Sequence, residues 1–210
     1  RLADERRRLD WLKTGDLAVR ACFEVSFSSL PRPVEKGVVQ DGSAEEGSGD
    51  SGSGDEGVDP AHAFRMLGLW HGPFIGLTAA AALLGQPEED VADALEVLVD
   101  AQLLQAQAAD RYRFHDLLRT YAAERASAEE QEQACAAAVR RLLDWYLYSV
   151  AAMARIVSPN RDQVPLGPPD GTFEPLSFAT PDEALHWCEA ERGNLVAATQ
   201  QAAAYGLDAV

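Results

Sequence analysis

The stretch AHAFRMLGLWHGPFIGLTAAAALLGQPEEDVADALEVLVDAQLLQAQAADRYRFHDLLR, from Ala61 to Arg119, decides the fold. It opens with a short helix carrying Phe64, Leu67 and Leu69. After Gly72-Pro73 a second short helix runs through Thr78 to Leu84 and closes at Gly85, since glycine adopts the left-handed conformation that ends helices without steric penalty. Gln86-Pro87 opens a third helix with proline at the first helical position, where its missing N–H is harmless. Helix, tight glycine turn and helix form the helix-turn-helix arrangement. Leu103 to Gln107, a polar turn at Ala109-Asp110, and Arg111-Tyr112-Arg113-Phe114 read as a β-hairpin. Three helices followed by a hairpin make a winged helix. A further helix starts near His115-Asp116 and runs through Leu117, Leu118 and Tyr121. The expected fold class is therefore mainly α, with a winged helix over 61–127 and flanking helices.

Upstream, residues 1–33 read as two helices divided at Thr14-Gly15-Asp16, with Asp16 suited to an N-cap. Val19, Phe23, Ser26, Phe27 and Leu30 fall at helical spacing and give the second helix one largely apolar face, until Pro31 and Pro33 end it. Residues 34–60 change character. DGSAEEGSGDSGSGDEGVD has no aromatic residue and almost nothing to bury, so it predicts a flexible acidic linker; a docking tail for a basic partner is the alternative.

Downstream, residues 128–210 read as a helical bridge. A long amphipathic helix places Val139, Leu142, Leu143, Tyr146, Val150, Met153 and Val157 on one face and stops at Ser158-Pro159. A loop rich in Pro and Gly follows to about Ala179. Thr180-Pro181-Asp182-Glu183 then supplies an N-cap, a first-turn proline and an acid at N3, a capping-box start for a helix running toward Gly206.

The 210 residues carry a formal net charge of -16, and 47% of them are hydrophobic. That balance supports a packed core and disfavours broad contact with phosphate backbones or anionic lipid. Cys22, Cys135 and Cys188 are odd in number and far apart, which fits buried thiols in a reducing, cytoplasmic setting. No apolar run approaches the length needed to cross a bilayer, so no membrane role is expected. A chain that begins at Arg1 reads as an excerpt of a longer protein.

The excerpt shows no glycine-rich phosphate loop, no His-Glu-x-x-His, no zinc spacing and no nucleophile-base pairing, so neither a catalytic residue nor a metal ligand is assigned. The third helix places Val91, Ala94, Leu95, Leu98 and Ala101 on one face and Glu89, Asp93, Glu96 and Asp100 on the other. A recognition helix needs donors for phosphates and guanine edges, and this outward face offers carboxylates; Arg111 and Arg113 on the wing add too little positive charge to reverse it. Direct nucleic-acid binding is not expected. His115 lies where the second wing strand meets a helix N-terminus, whose free N–H groups and positive dipole end suit an anion. Asp116 could cap the helix or orient the ring. On spacing alone, a capping pair without ligand is the simpler account.

Several segments resemble a known family. Gly15-Asp16-Leu17-Ala18-Val19-Arg20-Ala21 with Ser26 and Leu30 looks like the end of the helical domain in bacterial NB-ARC proteins, which belong to the STAND class of signalling ATPases. Phe64 to Leu69 and Ala79 to Gly85 resemble the opening of their winged helix, and Arg111 to Arg119 with Tyr121-Ala122 resembles its close. Phe114-His115-Asp116 matches the family's Met-His-Asp motif, with Phe in place of Met. Trp187, Glu191, Arg192, Asn194 and Leu195 resemble the segment leading into tetratricopeptide-type repeats. The order is similar to that of AfsR-like regulators of the SARP group, in which a DNA-binding and transcription-activating domain lies upstream. The resemblance implies a regulatory segment that couples an ADP/ATP switch to output without catalysing. In the intact protein, His115 would touch the β-phosphate of ADP, Asp116 would orient it or cap the helix, and ADP/ATP with Mg would bind elsewhere. The implied partners are the intramolecular nucleotide-binding and repeat domains, with self-assembly on activation. The rivals are a directly DNA-binding winged-helix domain and a passive helical scaffold for protein partners, in which His115 has no special role.

Overall fold

The computed structural model describes residues 16–31, 57–168 and 173–206. The first of the two N-terminal helices and the acidic linker thus lie outside the described residues, apart from the linker's last few positions. The described chain is mainly α-helical with a small antiparallel sheet, in the order α1 (Asp16–Ser28), α2 (Pro60–Leu67), β1 (Ile75–Gly76), α3 (Leu77–Leu84), α4 (Glu88–Asp100), β2 (Gln105–Ala108), β3 (Arg111–Arg113), α5 (Asp116–Glu129), α6 (Glu132–Val157), α7 (Pro181–Ala190) and α8 (Arg192–Ala204).

Local chemistry sets the boundaries. The Asp59 carboxylate caps α2 by accepting from the N–H groups of Ala61 (3.0 Å) and His62 (3.1 Å). Gly85 ends α3 in the left-handed region, at φ 65°. Its carbonyl neighbours also have a tertiary partner, since Arg141 on α6 donates to the Ala82 and Leu83 carbonyls at 3.3 and 2.8 Å. A cation at a helix C-terminus satisfies orphan acceptors and opposes the negative dipole end. Pro87 stands one residue earlier than the sequence predicts, as the N-cap of α4 rather than inside it. Thr180 caps α7 through Glu183 N–H (3.2 Å), and Glu183 reaches back to Ala179 N–H (2.9 Å).

The sheet order is β1-β3-β2. The two-residue strand β1 pairs Ile75 with Tyr112 and Gly76 with Arg111, and was not visible in the sequence pattern. The hairpin pairs Gln105 with Arg113 and Ala106 with Tyr112, with a bulge before Ala108 meets Arg111. Asp110, at φ 56°, turns it, and its carbonyl accepts from Leu77 N–H at 3.0 Å, tying the turn to the start of α3.

The core lies among α2, α3, α4 and α6, where Phe64, Leu67, Leu83, Val91, Leu95, Leu98, Val139 and Leu142 are buried. Each such side chain contributes about 1.5–3 kcal/mol on burial. Ala79 to Leu84 are buried on every side of α3, and its alanines let α6 lie close against it. At Gly68 the backbone meets α5 so closely that an added Cβ would stand 2.5 Å from Ala122 Cβ and 2.7 Å from Ala123 N. The apolar face expected for α1 is observed: Phe27 and Leu30 are buried, and Val19, Phe23 and Ser26 half-buried. It docks on α5 and α2 through Phe27 against Phe64 (5.4 Å between centroids) and Phe23 against Tyr121 (5.9 Å). Two further sequence expectations need correcting. Cys22 is exposed, because it lies outside the Phe23–Phe27 face, and Cys135 and Cys188 are half-buried rather than buried. The helix opened at Thr180 is not continuous to Gly206; it breaks at Glu191, whose side chain turns inward.

Candidate functional site

Two polar sites flank the sheet. The first is the junction singled out in the sequence. β3 ends at Arg113, Phe114 inserts against Phe64 at 5.4 Å in an edge-on arrangement, and His115 becomes the N-cap of α5 with extended backbone (φ -67°, ψ 140°). The imidazole is exposed and makes no capping hydrogen bond to the helix, so the capping role considered for it is not what the ring does. Asp116, also exposed, pairs with Arg119 at 3.5 Å. Arg119 in turn donates to the Gly72 carbonyl at 3.4 Å. The start of α5 therefore carries an exposed imidazole at its N-cap and an Asp116–Arg119 pair within its first two turns. Arg113 is exposed nearby in sequence, whereas Arg111 is drawn away from the wing surface, over the Phe74 ring at 4.4 Å and into the second site.

The second site is centred on Glu191, which is only 6% exposed at the break between α7 and α8. Its carboxylate accepts from Arg111 Nη2 (2.9 Å), Tyr146 Oη (3.2 Å) and Asn194 Nδ2 (2.7 Å). Three donors offset the desolvation that a buried carboxylate suffers. Burial, and after it the Glu191 charge, push the Tyr146 phenol well above its ordinary pKa, so it stays a donor. Tyr146 stacks on Trp70 at 5.3 Å, and Trp70 Nε1 donates to the Phe74 carbonyl at 2.8 Å. The neighbouring turn is gripped by α8: Gln201 donates to the Leu69 carbonyl (2.9 Å) and accepts from His71 N–H (3.3 Å). The sequence reading attached Glu191 and Asn194 to a family segment and gave them no structural task. No local pattern marks them, because α8 does not segregate its apolar and polar residues onto separate faces.

The carboxylates of α4 face outward as expected: Glu89, Asp93, Glu96 and Asp100 are exposed, while Val91, Ala94, Leu95 and Leu98 are buried. Ala101 follows the helix as its C-cap. At the far end of α5, burial pushes the Glu130 carboxyl up, but hydrogen bonds from Arg65 (2.6 Å) and His62 (2.9 Å) outweigh it and hold the pKa below the ordinary value. Among the described residues no cluster of three or more His, Cys, Asp or Glu side chains could hold a metal, and no helix is long and apolar enough to cross a membrane.

The sequence that builds this architecture is similar to a segment of regulatory proteins. Regulatory protein AfsR of Streptomyces griseus is 39% identical over 210 residues, covering 99% of this chain and 19% of that protein. Regulatory protein AfsR of Streptomyces coelicolor is 40% identical over 209 residues, covering 97% of this chain and 18% of that protein. The chain is thus homologous along its length to one segment of these proteins, and spans about a fifth of the length of either. No protein-family model and no solved structure matches it.

Proposed function

We propose that the chain is the winged-helix segment of a nucleotide-switched transcriptional regulator of the NB-ARC/STAND kind, flanked by a helical-domain remnant and a bridge toward tetratricopeptide-like repeats. Three features support the winged-helix reading: the order of α2, β1, α3, α4 and the β2–β3 hairpin, the Gly85-Gln86-Pro87 turn between α3 and α4, and the pairing of β1 with the hairpin. The segment couples nucleotide state to output in the cytoplasm and does no chemistry itself. Its partners are the nucleotide-binding and repeat domains of the same protein, and activation leads to self-assembly.

The observation that carries this reading is the whole-chain similarity to AfsR combined with an exposed, uncommitted His115 at a helix N-terminus. In the intact protein His115 donates to the β-phosphate of bound ADP, with the α5 N–H groups adding their dipole. Asp116 orients the guanidinium of Arg119. ADP or ATP and Mg are held by residues beyond this segment. A hydrogen bond to a charged group contributes about 1.5–3 kcal/mol, equivalent to roughly a tenfold to hundredfold change in affinity. His115→Ala in a protein that includes the nucleotide-binding domain should accelerate ADP dissociation by that factor and raise basal output. Equal dissociation rates for the two proteins would remove the sensor role.

The α4 face supports a segment that does not bind DNA, since a groove-facing helix with four exposed carboxylates is repelled by phosphates. Fluorescence anisotropy with mixed-sequence duplex at physiological salt should show no sub-micromolar binding. Tight binding that weakens steeply with added salt would favour the directly DNA-binding reading.

A further inference from the structure

The two polar sites are connected, and their connection assigns a task to the C-terminal helices. Two routes lead from the α7–α8 break to the His115 junction. On the first, Glu191 holds Arg111 at 2.9 Å, and Arg111 sits in β3, the strand whose chain continues through Phe114 into His115. On the second, α8 presses on the turn between α2 and β1. An added Cβ at Gly72 would meet Trp70 Nε1 at 2.3 Å and Asn194 Oδ1 at 2.5 Å, and one at Gly193 would stand 3.0 Å from Pro73 Cγ. The Gly72 carbonyl on that turn accepts from Arg119, whose guanidinium also meets Asp116. Both routes are short and pass through groups with little freedom to re-pair. Asn194 is 0% and Gln201 1% exposed, and Glu191 has three donors.

We infer that Glu191 and Asn194 are positioning residues that lock the His115–Asp116 junction to the α7–α8 helices, so that displacing those helices changes where the junction's imidazole and guanidinium stand. This rests on the reading of the junction as an anion-sensing site and names the input that regulates it. A force or contact on α7–α8 releases the Glu191 carboxylate from Arg111, removing that side-chain tie on β3 while its pairing with β1 and β2 remains, and withdraws α8 from the Leu69–Pro73 turn whose Gly72 carbonyl holds Arg119. Transmission between sites requires an element with two discrete arrangements, and loss of these contacts would give the second.

The experiment uses the 210-residue chain with ¹³C-labelled histidine, the His115 resonance being assigned by its loss in His115→Ala. Glu191→Gln keeps the shape of the side chain and removes the charge that holds Arg111. It should shift the His115 ring resonance and speed amide exchange at least tenfold in β3 and the Leu69–Pro73 turn. Arg119→Gln cuts the second route at its α5 end; it should shift His115 while leaving exchange in α7–α8 unchanged. Should Glu191→Gln fail to fold, Arg119→Gln and Gln201→Ala carry the same test. Faster exchange in the turn with an unmoved His115 resonance would overturn the coupling and leave α8 as packing alone. So would an unmoved resonance in Arg119→Gln. ADP dissociation from the longer protein separates the two ideas. If Glu191→Gln moves His115 but His115→Ala leaves ADP release unchanged, the lock stands and the phosphate role falls.

Discussion

The His115 junction and the Glu191 cluster are built from similar polar groups and are used in opposite ways. At the junction His115 and Asp116 face solvent and Arg119 is half-buried, the imidazole has no capping bond, and the contacts are long, at 3.4–3.5 Å. At the cluster a carboxylate is withdrawn from water and every bond to it is 3.2 Å or shorter. Exposed ion pairs contribute little to stability, whereas a buried group that loses its partners is costly. The contrast separates two jobs that composition cannot distinguish. One site leaves its imidazole open to solvent, and the other is consumed in holding the chain together.

That contrast can be broken most directly at Glu191. Glu191→Ala leaves Tyr146 and Asn194 buried without an acceptor and Arg111 without its anion. Removing one partner from a buried charged set costs about 3–5 kcal/mol, and because Arg111 is itself one-third exposed the expected loss is nearer 2–4 kcal/mol. A urea titration followed by circular dichroism measures it, and a loss below 1 kcal/mol would show that the cluster is not a fastening.

Next in size is Gly68→Ala, which asks whether α5, the helix that presents His115, is fixed by close apolar packing. Its Cβ would clash with the Ala122 side chain and with backbone at Ala123, so a shift of one helix is required. Overpacking of this sort costs about 1–3 kcal/mol. The thermal midpoint should fall, and a neutral result would mean that α2 and α5 slide freely.

A smaller effect comes from pH. The Glu130 pKa is held below the ordinary value of 4.5, so the folded state binds its proton less readily than the unfolded chain does. Its contribution to stability is complete above 4.5 and fades as the pH falls through the lower folded value. Wild type should therefore lose stability toward acid more steeply than Glu130→Gln, and parallel pH profiles would contradict the role of Arg65 and His62 at that carboxylate. The smallest expected change in stability is for His115→Ala, within about 0.5 kcal/mol, as for most surface substitutions. A large loss would make the junction a structural site after all.

Much of this was legible in the sequence because local chemistry dictated it. Gly85, the Thr180–Glu183 box and the alternation of Val91, Leu95 and Leu98 with Glu89, Asp93 and Glu96 each act within a few residues. Strand β1 was missed because Ile75-Gly76 has no period to detect; it is a strand only because β3 offers it hydrogen bonds. The break at Glu191 was missed for a similar reason. Residues 181–204 keep helical spacing, and only the positions of Arg111 and Tyr146 in space make an inward carboxylate favourable there. His115 could be placed from sequence at its strand-to-helix boundary, but its exposure and lack of a capping bond required coordinates.

The grip of α8 on the Leu69–Pro73 turn also sets an order of events in time. Gln201 meets Leu69 across 132 residues and Glu191 meets Arg111 across 80. Closing loops of that size is entropically costly, and contacts between distant parts of a chain form slowly. The helices around Phe64 and Leu95 have nearer partners and are expected to assemble first, giving α8 a finished surface to find. Gln201→Ala should then speed unfolding and leave the folding rate unchanged in a chevron plot, since the contact is absent from the transition state. A slower folding limb would place α8 in the nucleus. A helix that docks last is then expected to be the first to detach when the chain is destabilised.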